Sequence, residues 1–197
     1  MRYHGPGHFP DPAMPSSRSL VLASTSPYRR GLMSRLGVPF EVAAPDIDEA
    51  ALPREAPSAT ATRLAAAKAR AVAAAHPDAL IIGSDQVADC DGVAISKPGD
   101  HATARAQLAA QSGRTIVFHT AVALYDARAK LLRSELVNVR STFRVLDPPT
   151  IETYLRRETP YDCAGAVRSE SLGIALFERI DSDDPTALIG LPLIALA

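Results

Sequence analysis

The chain has 197 residues, 47% of them hydrophobic and 22% charged, ordinary proportions for a globular domain. Twenty-one Lys and Arg oppose 22 Asp and Glu, a net charge of -1 that excludes a polybasic nucleic-acid binder and leaves room for a local basic cluster. Cys90 and Cys163 form neither a CxxC nor a zinc spacing, and no apolar run reaches the length of a membrane span, so a cytoplasmic protein with no membrane partner is expected.

Taken in chain order, residues 1–18 hold Pro6, Pro10, Pro12 and Pro15 and no hydrophobic centre. They read as a disordered extension, not a signal peptide, and leave 19–197 as the folded domain. Leu20–Ala23 suits a short buried strand. Ser26 suits a helix cap and Pro27 the first helical position, so residues 20–37 read as strand, tight loop and helix, closed at Gly37. Val38–Ala44 reads as a second strand, and Asp46-Ile47-Asp48-Glu49 as an acidic loop. The alanine-rich stretch 58–75 predicts a helix capped by Ser58 or Thr60, with Leu64, Ala67, Ala71 and Ala75 as its packed stripe and Lys68 at the stripe's edge.

Leu80–Gly83 reads as a buried strand with Ser84-Asp85-Gln86-Val87 at its end. Asp91-Gly92 signals a hairpin turn, and Val93–Ser96 returns to deliver Lys97. Asp100 starts a helix through Gln111. Residues 115–125 and 131–145 read as a long hairpin. In its second arm, alternation of Val137, Val139, Phe143 and Val145 with polar residues buries one face. A short helix follows Pro148-Pro149-Thr150 to about Glu158, then irregular chain, a strand at Ile174–Phe177, and a solvated loop at Asp181–Pro185. Leu191–Ala197 is apolar enough to pack as a short helix or to join a subunit interface. The fold class is α/β with a mixed, partly antiparallel sheet flanked by helices.

Three local signals carry chemistry. Ser24–Arg30 places a helix N-terminus beside Arg29, a combination suited to anions, although a capped helix with solvated arginines has the same sequence. The Asp46–Glu49 carboxylates can hold Mg²⁺ or simply face water. Asp85, near a glycine, is placed to bind a metal or activate a water, or is a turn residue; Lys97 can meet a phosphate or solvent. The five histidines have no ligand spacing, and GxxxxGK[ST] and GxGxxG are both absent, which excludes the P-loop and dinucleotide-binding readings.

In order, Leu22–Arg30, Pro45–Glu49, Ala67-Lys68-Ala69, Gly83–Val87, Lys97-Pro98, Cys163-Ala164-Gly165, Ser169-Glu170, Gly173-Ile174 and Gly190–Leu193 resemble the Maf family of nucleoside triphosphate pyrophosphatases. The resemblance implies two lobes around a central cleft. It also implies hydrolysis of a nucleoside triphosphate between its α- and β-phosphates, a divalent metal cation (Mg or Mn), and a homodimer. Residue by residue, it implies that Arg29, Lys68 and Lys97 clamp phosphates with Ser26, and that Glu49 and Asp85 hold the metal. Asp85 also matches the family's proton acceptor, so base and metal ligand both stay open for it.

Tyr28, Gln86 and Glu170 resemble the 7-methyl-GTP branch, which usually has Trp at the first of these positions; the dTTP/UTP branch has Arg and Thr at the first two. N7 methylation makes guanine cationic, an aromatic face attracts such a ring, and a carboxylate suits guanine's N–H edge. The expected function is a house-cleaning hydrolase of 7-methyl-GTP or a related modified nucleotide. The alternatives are a dTTP/UTP pyrophosphatase and a nucleotide-binding regulator of cell division or septum formation.

Overall fold

A computed structural model describes residues 18–197. The expected N-terminal extension lies outside the described residues except for Arg18, whose guanidinium pairs with Asp126 at 2.6 Å. Among the described residues no helix is long and apolar enough to cross a membrane.

Strand β1 (Leu20–Ala23) lies one strand in from the sheet edge, with Val21, Leu22 and Ala23 all buried. It runs parallel to β2 (Glu41–Ala43) and β3 (Leu80–Cys90). The turn at Asp91-Gly92 returns β4 (Val93–Ile95) against the far end of β3. Then β5 (Thr115–Asp126), β6 (Leu131–Phe143) and β7 (Phe177–Asp181) add antiparallel, giving a seven-stranded mixed sheet in the order β2-β1-β3-β5-β6-β7, with β4 paired to β3.

Alternation along β3 assigns its two faces. Odd residues face helix α2 (Pro57–Ala71), where Ala69 and Val72 pack with Val21, Ala23 and Ile81. Even residues face two separate helical packs. Near one end, Leu22, Ile82 and Val122 meet Leu32 and Met33 of α1 (Pro27–Ser34) and Leu191, which leads into α5 (Leu193–Leu196). Near the other, Ala88, Phe118 and Val139 meet Ala104 and Leu108 of α3 (His101–Gln111), and Ile151 and Leu155 of α4 (Pro148–Glu158). The apolar C-terminal stretch thus packs as a short helix on the core.

Several expectations are corrected. Helix α2 starts at Pro57 without a side-chain cap and ends at Ala71. Of the expected stripe Leu64 is buried, but Ala67 is half-buried and Ala71 and Ala75 are exposed; Ala61, Ala65, Lys68 and Ala69 complete the buried face instead. The cause is Gly83: a Cβ there would lie 2.1 Å from the Ala65 carbonyl oxygen, so the helix rests on bare strand backbone. Strand β3 does not stop at Gly83 but continues to Cys90, because β5 pairs along nearly its whole length. Ile174 lies in a 3₁₀ segment, Leu172–Leu176, and the expected strand is displaced to Phe177–Asp181. Asp184 in the supposedly solvated loop is 2% exposed. It accepts from the Thr186 and Ile194 amides and so ties that loop to α5.

Candidate active site

The sheet has a notch. Strand β1 ends at Ala23, opposite Gly83, and β4 first pairs at Ala88, so β3 has no neighbour on that side between Ser84 and Val87. A cleft of about 300 Å³ opens at this gap, between the two helical packs. It is lined by Ser26, Tyr28, Arg29, Glu49, Lys68, Gln86, Lys97 and Glu170, together with Asp162, Cys163, Val167 and Leu188–Gly190. Asp85 is absent from the lining, as are Asp46 and Asp48 of the acidic loop. Asp85 sits behind Lys68, 6% exposed.

The charged end centres on Lys68, which is 4% exposed because its position on α2 faces β3. Its ammonium lies 2.7 Å from Asp85 Oδ1 and 2.8 Å from Glu49 Oε1, so both carboxylates converge on one point. Burial pushes the Glu49 carboxyl up. The hydrogen bond from Lys68 and the charges of Lys68, Lys97 and Arg29 outweigh that and hold it below the usual carboxylate range. Leaving either charge of the Lys68–Asp85 pair alone would expose the other to a large desolvation penalty.

Glu49 is delivered by a braced loop that sequence reasoning missed. Asp48 closes the loop by accepting from the Ala50 amide. Glu55 binds Arg63 Nε at 2.6 Å, the Thr60 hydroxyl at 2.9 Å and the Leu52 amide at 3.0 Å, while Arg63 also donates to the Ala50 carbonyl. Thr60 therefore serves this brace rather than capping the helix.

Arg29 enters from α1. Ser26 caps that helix by accepting from the Arg29 amide at 3.4 Å, which leaves its hydroxyl hydrogen free to donate. Arg29 Nε donates to the Gly190 carbonyl at 2.9 Å, so the terminal nitrogens are turned to the cleft. Burial lowers the guanidinium pKa, and the charges of Asp85 and Glu49 oppose that shift.

The same Gly190 carbonyl accepts from Ser84 Oγ at 2.9 Å. Gln86, on the same face of β3, donates its amide N–H groups to Thr120 Oγ1 and to the Ala187 and Leu188 carbonyls, all at 2.9–3.0 Å. The donors of Gln86 are thus committed to holding the 187–190 loop, although its side chain lines the cleft. Ser84, Thr120 and Gly190 were not expected here. The signal that could have found Ser84 is the period-2 alternation of β3, which sets Ser84 and Gln86 on the face opposite Asp85.

The other end is marked by Tyr28. Its hydroxyl donates to Asp162 at 3.2 Å, and the guanidinium carbon of Arg168 lies 5.3 Å from its ring centroid. Burial, with Cys163 and Asp162 nearby, pushes the phenol pKa up against the opposing charge of Arg168. Burial and Asp162 likewise push the Cys163 thiol up to about 11, and it is free. Glu170 is exposed on the cleft wall.

Fold and cleft together define an α/β protein with cations and carboxylates gathered at a break in a mixed sheet. The family model for Maf-like proteins matches residues 19–197, and the chain belongs to that family. A protein of Albidiferax ferrireducens named 7-methyl-GTP pyrophosphatase is 56% identical over 91% of this chain and 90% of its own length. Proteins of the same name from a Polaromonas species and from Burkholderia pseudomallei are each 60% identical, over 91% and 90% of this chain and 82% and 84% of their own lengths.

Proposed function

We infer that this chain hydrolyses the α–β phosphoanhydride of 7-methyl-GTP, or of a closely related modified nucleotide, to the monophosphate and pyrophosphate, a house-cleaning reaction. It is a hydrolase acting on acid anhydrides, as its relatives are named. The observation that carries the reading is the convergence of Arg29, Lys68 and Lys97 with Glu49 on one cleft, and of Asp85 on Lys68 just behind it.

A triphosphate brings about four negative charges, and phosphoryl transfer spreads charge over oxygens, so rate comes from placed cations. Arg29 offers a fixed fork to the phosphates, anchored through its Nε at Gly190. Lys97 supplies a second cation from the β4–α3 connection, and Ser26 a hydroxyl donor. Asp85 is the group to take the proton of the attacking water. It lies 2.7 Å from the Lys68 ammonium, which fixes its position beside the cleft. Glu170 accepts from the N–H edge of guanine, and the Tyr28 face attracts the methylated, cationic ring.

The residues present fit a divalent metal. Glu49 and Asp85 bring two hard carboxylates to either side of the Lys68 ammonium, and no group of three His, Cys, Asp or Glu among the described residues forms a protein-only cage. Mg²⁺ and Mn²⁺ favour such a partial set, completed by water and substrate phosphate. Bound there, the metal would neutralise phosphate charge in the transition state.

A panel of triphosphates scored by pyrophosphate release with Mg²⁺ or Mn²⁺ tests the reading. Turnover of 7-methyl-GTP should exceed that of GTP, dTTP and UTP; faster turnover of dTTP or UTP would reject it.

A further inference from the structure

Arg168 lies outside the set of residues expected from sequence, yet it fixes the aromatic wall of the cleft. Its guanidinium carbon is 5.3 Å from the Tyr28 ring centroid. The cleft is lined by Tyr28 and by Val167 and Glu170, but not by Arg168, so the guanidinium meets the ring from outside the cleft lining.

Both ends of Arg168 are held. Its amide donates to the Tyr154 hydroxyl at 2.9 Å. A Cβ on Gly173 would lie 2.2 Å from the Arg168 carbonyl oxygen, so the chain can wrap this tightly only because residue 173 has no side chain. At the other end, Nη1 donates to the Glu158 carbonyl at 3.1 Å and lies 3.4 Å from Glu158 Oε2, and Nη2 lies 3.6 Å from Asp162 Oδ1. Glu158 is itself fixed by the Ser171 hydroxyl at 2.6 Å and the Leu172 amide at 3.2 Å. Asp162 also accepts the Tyr28 hydroxyl. One network therefore sets the ring's face through Arg168 and its edge through Asp162. Arg168 Nε is buried without a partner, a penalty that the fold bears to keep the guanidinium in place.

We propose that Arg168 is a positioning residue for substrate selection: it holds the Tyr28 ring as a one-sided stacking platform for a cationic purine base. This rests on the reading that the base of the substrate meets Tyr28. A bare guanidinium behind the ring would repel a cationic base in front of it. Glu158 and Asp162 offset that charge, so the open face of the ring keeps its attraction. Lysine cannot replace arginine here, because a point ammonium does not span Glu158 and Asp162 as the fork of Arg168 does.

The test uses the full chain with Arg168→Ala, Arg168→Lys, Tyr28→Ala and the Tyr28→Ala/Arg168→Ala double variant. Both Arg168 variants should raise KM for 7-methyl-GTP about tenfold with kcat within about twofold, and should raise KM for unmethylated GTP less. Binding of 7-methyl-GMP should weaken by a similar factor, while binding of pyrophosphate should not change. In the Tyr28→Ala background the Arg168 substitution should have no further effect on KM, which a general structural role would not produce. Wild-type KM in Arg168→Ala, full rescue by lysine, or an undiminished effect in the double variant would each overturn the proposal. A wild-type enzyme that prefers dTTP or UTP would instead reject the substrate reading, and this role of Arg168 with it.

Discussion

The two ends of the cleft are built by opposite means. At the charged end, Lys68, Asp85 and Arg29 come from the regular elements α2, β3 and α1, and Lys68 and Asp85 are almost wholly buried. At the aromatic end, Tyr28 is the only wall residue on a regular helix; Asp162, Arg168 and Glu170 come from irregular chain, and Glu170 is exposed. Lys68 and Asp85 are hard to move, because displacing either charge would strand the other in low dielectric, whereas Glu49 and Lys97 reach the same end from connections. The aromatic end is adjustable, because loops tolerate change that a sheet does not. The proposed function assigns rate to the charged end and choice of substrate to the aromatic end.

The hardest test of that division is Asp85→Asn. It keeps the shape of the side chain and removes the base. We expect kcat to fall by about 10³-fold while nucleotide binding persists, as read by pyrophosphate release beside calorimetric titration. Unimpaired turnover would remove Asp85 from the mechanism. Gly83→Ala attacks the packing beneath the same end. The added methyl group meets the Ala65 carbonyl and the Ala69 amide, so α2 must lift and carry Lys68 with it. The expected cost is about 3 kcal/mol, a drop of roughly 6–12 °C in Tm with loss of activity. An unchanged Tm would show that α2 does not bear on the strand as described.

At the aromatic end the effects should be smaller and of another kind. Tyr28→Ala should raise KM for 7-methyl-GTP about tenfold and change kcat little, since stacking acts alike in ground and transition states. An equal response with GTP would mean that the ring does not sense base charge. The smallest effect concerns Glu55. The Arg63 guanidinium, helped by the Leu52 amide, holds its carboxyl down to about 2. A depressed carboxyl adds stability that is complete above its unfolded value of roughly 4.3 and is lost as pH falls toward the folded one. Thermal melts from pH 5 to pH 2 should therefore fall more steeply for the wild type than for Glu55→Gln. Parallel slopes would show that the brace on the Glu49 loop contributes nothing.

How much of this was legible in the sequence follows the same division. The β1–α1 unit, the 91–92 hairpin and the long β5–β6 pair could be read, because caps, turn pairs and alternation are local signals; the charged residues were assigned roles only through the family resemblance. The stripe of α2 could not. In an alanine-rich helix almost every face is equally apolar, and contact with Gly83, a residue distant in sequence, decides which one is buried. The end of β3 was misplaced because Ser84–Gln86 look like a loop until β5 pairs with them. Gln86 lines the cleft as expected, but its donors hold the 187–190 loop, a contact across about a hundred residues that no local pattern announces. Asp184 looked solvated among its acidic neighbours and is instead buried as the tie to α5. Arg168 was overlooked because a lone arginine gives no sign of the ring it will cover.

The bond from Arg29 to Gly190 spans 161 residues. A ribosome adds roughly 5–20 residues per second, so about 8–32 s separate the emergence of the guanidinium from that of the carbonyl that anchors it. Throughout that interval the nascent chain carries the motifs of its first half without the latch that aims Arg29. The guanidinium that the proposed function assigns to phosphate is therefore among the last parts of the cleft to be set, once the far segment has left the ribosome.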